Sequence, residues 1–149
     1  MGLDMYLTAK RYLRQYPENG NDAKIAKAIG DLPIGNHGMR VKEVSCEAIY
    51  WRKANAIHAW FVRECQGGRD ECQTTWVSRE KLQELLTLCK ETFETKDASK
   101  LPPQSGFFFG STEYDEGYFY DIRETRDILK KVLKPSTINN WKISYQSSW

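Results

Sequence analysis

From Phe107 to Tyr120 the chain sets seven aromatic side chains around a Gly110-Ser111-Thr112 turn. A solvated loop would not need so many rings, so the fold is expected to be organised against this stretch. The pattern predicts a buried strand over Phe107–Phe109 that ends at Gly110, with a helix starting at once behind it. Ser111 or Thr112 is the expected N-cap, because either hydroxyl accepts from the free amides of a first turn. Thr112 and Asp115 have nearly the spacing of a capping box, and Glu113, Asp115 and Glu116 complement the positive end of the helix dipole. A strand tip, a glycine turn and a helix N-terminus together make a common ligand site. The competing reading is a well-capped helix behind a core strand.

Elsewhere the punctuation is regular. Leu3, Met5 and Leu7 alternate with polar neighbours, as in a half-buried strand. Pro17–Asp22 and Asp31–Gly38 read as turns around a short helix over Ala23–Ile29. The longest helical pattern runs from Val41 to Cys65, with Val44, Ala48, Trp51, Ala54, Val62 and Cys65 on one face. Thr74–Val77 reads as a short strand. Ser78 caps a helix to about Thr95, and Val77 staples to Leu82. Ala98–Gln104, with two prolines, is a connector. A third long helix is expected from Thr112 to about Lys134, with Pro135 beyond its end. Trp141, Ile143 and Tyr145 alternate as another strand. The sum is a single α+β domain over 1–149, three main helices packed on a small mixed or antiparallel sheet.

Totals narrow the function. Twenty-two basic and 20 acidic residues are interspersed and leave a net charge of +2, which argues against a nucleic acid polymer as main partner. No apolar run has the length of a membrane span or signal peptide, so no membrane partner is expected. Cys46, Cys65, Cys72 and Cys89 form no CxxC pair and only two histidines are present, so neither a metal nor a cofactor is expected. Cys46, Cys65 and Cys89 fall at or near apolar helical positions and read as free buried thiols of a reducing cytosol.

On the predicted long helix, Glu47, Asn55 and His58 project into the apolar sector with Val44, Trp51 and Val62. Burying such a group unpaired costs roughly 1–3 kcal/mol, so they either form a satisfied core network or line a cavity. In the second case Trp51 stacks on a ligand ring, Asn55 and His58 read its polar edge, and Arg52 meets an anionic group at the rim. Joined to the aromatic segment, the candidate ligand-binding set is Trp51, Arg52, Asn55, His58, Phe109, Gly110, Ser111, Thr112, Tyr114, Asp115 and Tyr118. Ile49 and Trp60 fall on the opposite side of that helix, which implies a second packed surface: another element of this chain, or a second subunit. No nucleophile elbow, Walker loop, GxGxxG or HExxH is present, and a binding protein is favoured over an enzyme. The terminal Tyr145–Trp149 reads as an ordered tail with a packed indole, or as a hook for a partner.

The stretches MGLDMYL (1–7), YWRKANAIHAWFV (50–62), WVSREKLQELL (76–86), LPPQSGFFFGSTEYDEGYFY (101–120) and YQSSW (145–149) together resemble a family of small phage-encoded proteins. The likeness covers nearly the whole chain and departs in 22–41 and 91–100. Members of that family are often labelled phosphoglycerate kinase, but this chain has neither the length of a two-domain kinase nor a phosphate-cradling glycine loop. The resemblance implies a phage origin and a host-cytoplasm setting. With the aromatic, Ser/Thr-lined site it leads to an accessory protein that sequesters a nucleotide-type ligand to counter host defence. Trp51 or Tyr114 would stack the base, Asn55 and His58 would read its edges, and Arg52 with the Gly110–Thr112 amides would hold phosphate. The acidic residues 113, 115 and 116 suit a ribose or a cationic group better. One alternative is an inhibitor that binds a host protein through Trp60, Tyr118 or Trp149. Another is a small hydrolase pairing His58 with Asp115.

Overall fold

Met5, Leu7 and Ala9 are buried while Tyr6, Thr8 and Lys10 between them are half-buried, so the first strand, β1 (Asp4–Tyr12), turns one face to a core. The structure, a computed structural model, describes residues 2–14, 20–30 and 41–149. The turn expected over Asp31–Gly38 and the first half of that at Pro17–Asp22 lie outside these. β1 is central: β2 (Glu43–Arg52) pairs on one side and the last strand, β4 (Lys142–Ser148), on the other. The short β3 (Thr75–Val77) adds to β4, giving an antiparallel sheet in the order β2-β1-β4-β3. The helices are α1 (Asn21–Gly30), α2 (Asn55–Cys65), α3 (Arg79–Thr95), α4 (Glu116–Val132) and the single turn α5 (Pro135–Ile138). The fold is α+β.

One apolar core joins Leu3, Met5 and Leu7 to Phe61 of α2, to Leu82, Leu85 and Cys89 of α3, and to Ile122 and Leu129 of α4. At its centre the Phe61 and Tyr145 rings stack at 4.0 Å and 7°. Ser78 accepts from the Lys81 amide, so α3 starts at its expected cap. Lys96 ends it in the left-handed conformation, φ 58°.

Several expectations are corrected, and the alternative left open for Ile49 and Trp60 is decided. The helix expected over Val41–Cys65 is a strand and a shorter helix, β2 and α2. The chain reverses at Lys53, whose φ of 61° no residue in a continuous helix adopts. On β2, Glu47 pairs with Thr8 and is exposed, and so is Cys46, so neither shares a sector with Asn55 and His58 or forms a buried helical thiol. Ile49 and Trp60, at 3% and 1% exposure, sit in the core of the monomer, so the second surface they implied is filled by the chain itself. Phe107–Phe109 is not a strand. Its Phe109 amide donates to Gly106 O at 3.1 Å in a tight turn that leaves Phe107 94% exposed and Phe109 buried. Finally, α4 starts after Asp115, whose carboxylate accepts from the Tyr118 amide at 2.9 Å. Ser111 closes only a local turn to the Glu113 amide, and the helix ends at Val132, short of Lys134.

Candidate functional site

The reversal at Lys53 controls what comes together. Lys53 N–H donates to Leu3 O at 2.8 Å, and the Lys53 carbonyl accepts from Asn55 N–H at 2.8 Å, so β2 is turned directly into α2. Across from it Gly110 takes φ +87°, and a Cβ there would meet Lys53 Cβ at 3.2 Å. Only glycine satisfies both conditions easily. Gly110 thus brings the 101–115 segment against the α2 N-terminus.

Asn55, 5% exposed, fastens that contact. Its Nδ2 donates to Phe109 O at 3.0 Å and to Ser111 O at 2.8 Å, and its Oδ1 accepts from Gln104 N–H at 3.2 Å. One amide therefore clamps both ends of the 104–111 loop. Beside it opens a cleft of about 270 Å³ between residues 52–57, 110–115 and the first two turns of α4. The expected residues Arg52, Asn55, Gly110, Ser111, Asp115 and Tyr118 all line it.

The walls carry opposite charge. One has Arg52, Lys53 and the start of α2, which has no side-chain cap and no acidic residue in its first turn. The other has Glu113, Asp115 and Asp121. Burial, with Asp115 nearby, pushes the Asp121 carboxyl up to about 6. Tyr118 and Tyr120 supply ring surface, and Tyr118 is anchored by its hydroxyl donating to Leu101 O at 2.9 Å.

Five expected residues lie elsewhere. Trp51 is buried and cannot stack on a ligand; its indole N–H donates to Thr125 Oγ1 at 2.8 Å, whose hydroxyl in turn donates to Asp121 O at 2.7 Å. It therefore positions Asp121 from the core. His58 is fully buried, with Nε2 2.9 Å from Asp70 Oδ2 and Nδ1 2.7 Å from the Tyr145 hydroxyl. Both ring nitrogens are engaged, so His58 is a satisfied core group with none left for a substrate or for Asp115. The Phe109 ring packs edge-on to His58 at 5.1 Å, and only its carbonyl reaches the cleft wall, through Asn55. Thr112 is exposed off the cleft, and Tyr114 faces a separate groove with Phe93 and Phe119. Of the proposed anchors, Trp60 and Tyr118 are buried. Trp149 is half-exposed and donates from its indole N–H to Asp70 Oδ1 at 3.1 Å.

Sequence reasoning missed Lys53, Tyr120 and Asp121 as cleft residues, and weighed Glu113 only for the charge it brings to the turn. A signal existed for Asp121: with Asp115 as the cap, Gly117, Tyr118, Asp121 and Ile122 follow helical spacing on one face. Gly117 keeps that face open, since a Cβ there would meet the Asp115 carboxylate at 3.2 Å. Among the described residues no group of three or more His, Cys, Asp or Glu side chains could hold a metal, and no helix is long and apolar enough to cross a membrane. No family model, curated protein or solved structure matches the chain.

Proposed function

We propose that the protein binds one small nucleotide-type ligand in the cleft between the α2 N-terminus and the start of α4, and holds it without chemistry. The observation that carries the reading is the opposition of two walls in one cleft: Arg52, Lys53 and uncapped amides on one side, Asp121 and Tyr120 on the other. A phosphate suits the first wall, where charge and free N–H groups act together. Sugar hydroxyls suit Asp121, whose carboxylate accepts from them at neutral pH and whose backbone is held through Trp51 and Thr125. The base then lies over Tyr120 in place of the buried Trp51.

Size narrows the class. About 270 Å³ is just below the usual range for ligand pockets, roughly 300–1,000 Å³, so the ligand is a single nucleotide unit and not a dinucleotide. Sequestration is favoured over hydrolysis because His58 is enclosed with both nitrogens occupied. In the phage setting that the resemblance implies, retention of such a ligand would withhold a nucleotide signal from host defence.

Calorimetric titration with nucleoside monophosphates, nucleosides and inorganic phosphate tests this. A monophosphate should bind at least roughly 10-fold more tightly than the nucleoside or phosphate alone. Arg52→Ala should abolish the gain from phosphate, and Asp121→Asn the preference for ribose over deoxyribose. Absence of any nucleotide binding below about 1 mM would overturn the proposal.

A further inference from the structure

Among the described residues, Asp115 and Tyr120 are the two that line both the cleft and the neighbouring groove, so they share the edge that divides them. On the groove side the Arg123 guanidinium lies 5.2 Å from the Tyr120 centroid and steadies a ring that is otherwise open to solvent. Asp115 is fixed by its place in the fold. Its Oδ1 accepts from the Tyr118 amide at 2.9 Å as the cap of α4. The cap occupies one of roughly four lone-pair sites on the carboxylate, so both oxygens can still accept. Gly117 lines the cleft beside it, and a Cβ there would lie 3.2 Å from Asp115 Oδ1. The missing side chain leaves the carboxylate open to the cleft.

A carboxylate reads a base by accepting only, since in its ionised form it has no proton to give. With the phosphate at Arg52 and Lys53 and the sugar at Asp121, a base over Tyr120 turns the edge remote from its sugar toward Asp115. Guanine, alone of the four common bases, sets two donors side by side on that edge, N1–H and the 2-amino group. Adenine and cytosine set a ring-nitrogen lone pair beside their amino group, and uracil flanks its single N–H with two carbonyls. Each of these three brings an acceptor against a carboxylate oxygen, and a site built for donors rejects such a ligand. Glu113, also lining the cleft, adds a second negative charge that deepens the bias.

We propose that the ligand of the cleft is a guanine mononucleotide, its N1–H and 2-amino group donated as a pair to Asp115 and its ring laid on Tyr120, which Arg123 backs. This deepens the nucleotide reading and rests on it. Asp115 then serves twice, as the cap that starts α4 and as the residue that chooses the base.

Calorimetric titration of the full chain with the guanosine, inosine, adenosine, cytidine and uridine monophosphates is the test. Guanosine monophosphate should bind roughly 10-fold or more tightly than the adenosine, cytidine and uridine forms. Inosine monophosphate, which keeps N1–H but lacks the 2-amino group, should fall between. Asp115→Asn is the sharpest variant, because asparagine caps a helix as well as aspartate does and urea titration verifies the fold. Its amide offers one donor beside one acceptor, so the variant should lose the preference for guanine and favour xanthosine monophosphate, whose 2-carbonyl accepts. Binding of all four common bases to within about 3-fold, preference for a base other than guanine, or an unchanged order in folded Asp115→Asn would each overturn the assignment while leaving a nucleotide site in place. Failure of every monophosphate to bind below about 1 mM would overturn the nucleotide reading itself, and this assignment with it.

Discussion

Replacing Asn55 by alanine removes the side chain whose hydrogen bonds fasten the 104–111 loop to α2. Three hydrogen bonds go with it: two donated to Phe109 O and Ser111 O, one accepted from Gln104 N–H. At about 1 kcal/mol each the loss is ~3 kcal/mol, a large part of the 5–15 kcal/mol typical of a domain. Solvent can reach Gln104 and Ser111 once the amide is gone, which keeps the figure from rising further. For a chain of this size that corresponds to a fall in Tm of roughly 6–12 °C. Urea unfolding followed by tryptophan fluorescence should show the midpoint reduced at an unchanged slope. Chymotrypsin should cut after Phe107 or Phe108 well before global unfolding, because the loop loses both ties. Asn55→Asp is the sharper control: it puts an oxygen where the donating amide faced two carbonyls, so at neutral pH it should cost at least as much as alanine. Acidification to about pH 4 should relieve part of that, because the protonated carboxyl regains one donor. An Asn55→Ala protein within ~0.5 kcal/mol of wild type, with unchanged proteolysis, would refute the clamp.

Further outcomes follow from single contacts. Tyr145→Phe should destabilise by about 1–3 kcal/mol in urea unfolding, since it leaves His58 Nδ1 unpaired where exposure is nil. Gly106→Ala should cost roughly 1–3 kcal/mol, because the Phe109 ring has to shift to admit the new methyl group. Deleting Trp149 should cost less than about 1 kcal/mol, as its bond to Asp70 is exposed. Asp121 ties its proton more tightly when folded, so its ionisation opposes folding. Its contribution to stability should fall as pH rises from the unfolded value near 3.8 through about 6. Asp121→Asn should therefore exceed wild type in urea midpoint at pH 7, with the gap closing below pH 4.

β1, β3, β4 and α3 were legible because their alternations and the Ser78 cap need nothing beyond near neighbours. The β2–α2 junction was not. Val44, Ala48 and Trp51 fit a helical spacing as well as a strand, and the reversal uses Lys53 in a left-handed conformation where a Gly or Pro would have announced it. The three phenylalanines misled for a related reason: consecutive rings suggest a buried strand, whereas a tight turn over Gly106 sends one ring inward and one into water. Asn55 and the glycine turn were singled out and do meet, since both are unusual for their surroundings. Asp121 was lost with the misplaced start of α4. Gly110 made the meeting legible only in retrospect, because the close approach that leaves no room for a side chain there is to a lysine fifty-seven positions earlier.

The placement of β1 between β2 and β4 has a temporal side. Ala9 pairs with Ile143 on one edge and Cys46 on the other, so the central strand acquires its two neighbours from very different distances along the chain. Roughly 130 residues separate β1 from β4, and at ribosomal rates of about 5–20 residues per second their synthesis takes roughly 7–25 s. Throughout that interval Met5, Leu7 and Ala9 can rest only against a partial structure, and one edge of β1 stays open to any strand that drifts by. A nascent chain stalled before Lys142 is therefore the form of this protein most in need of a chaperone.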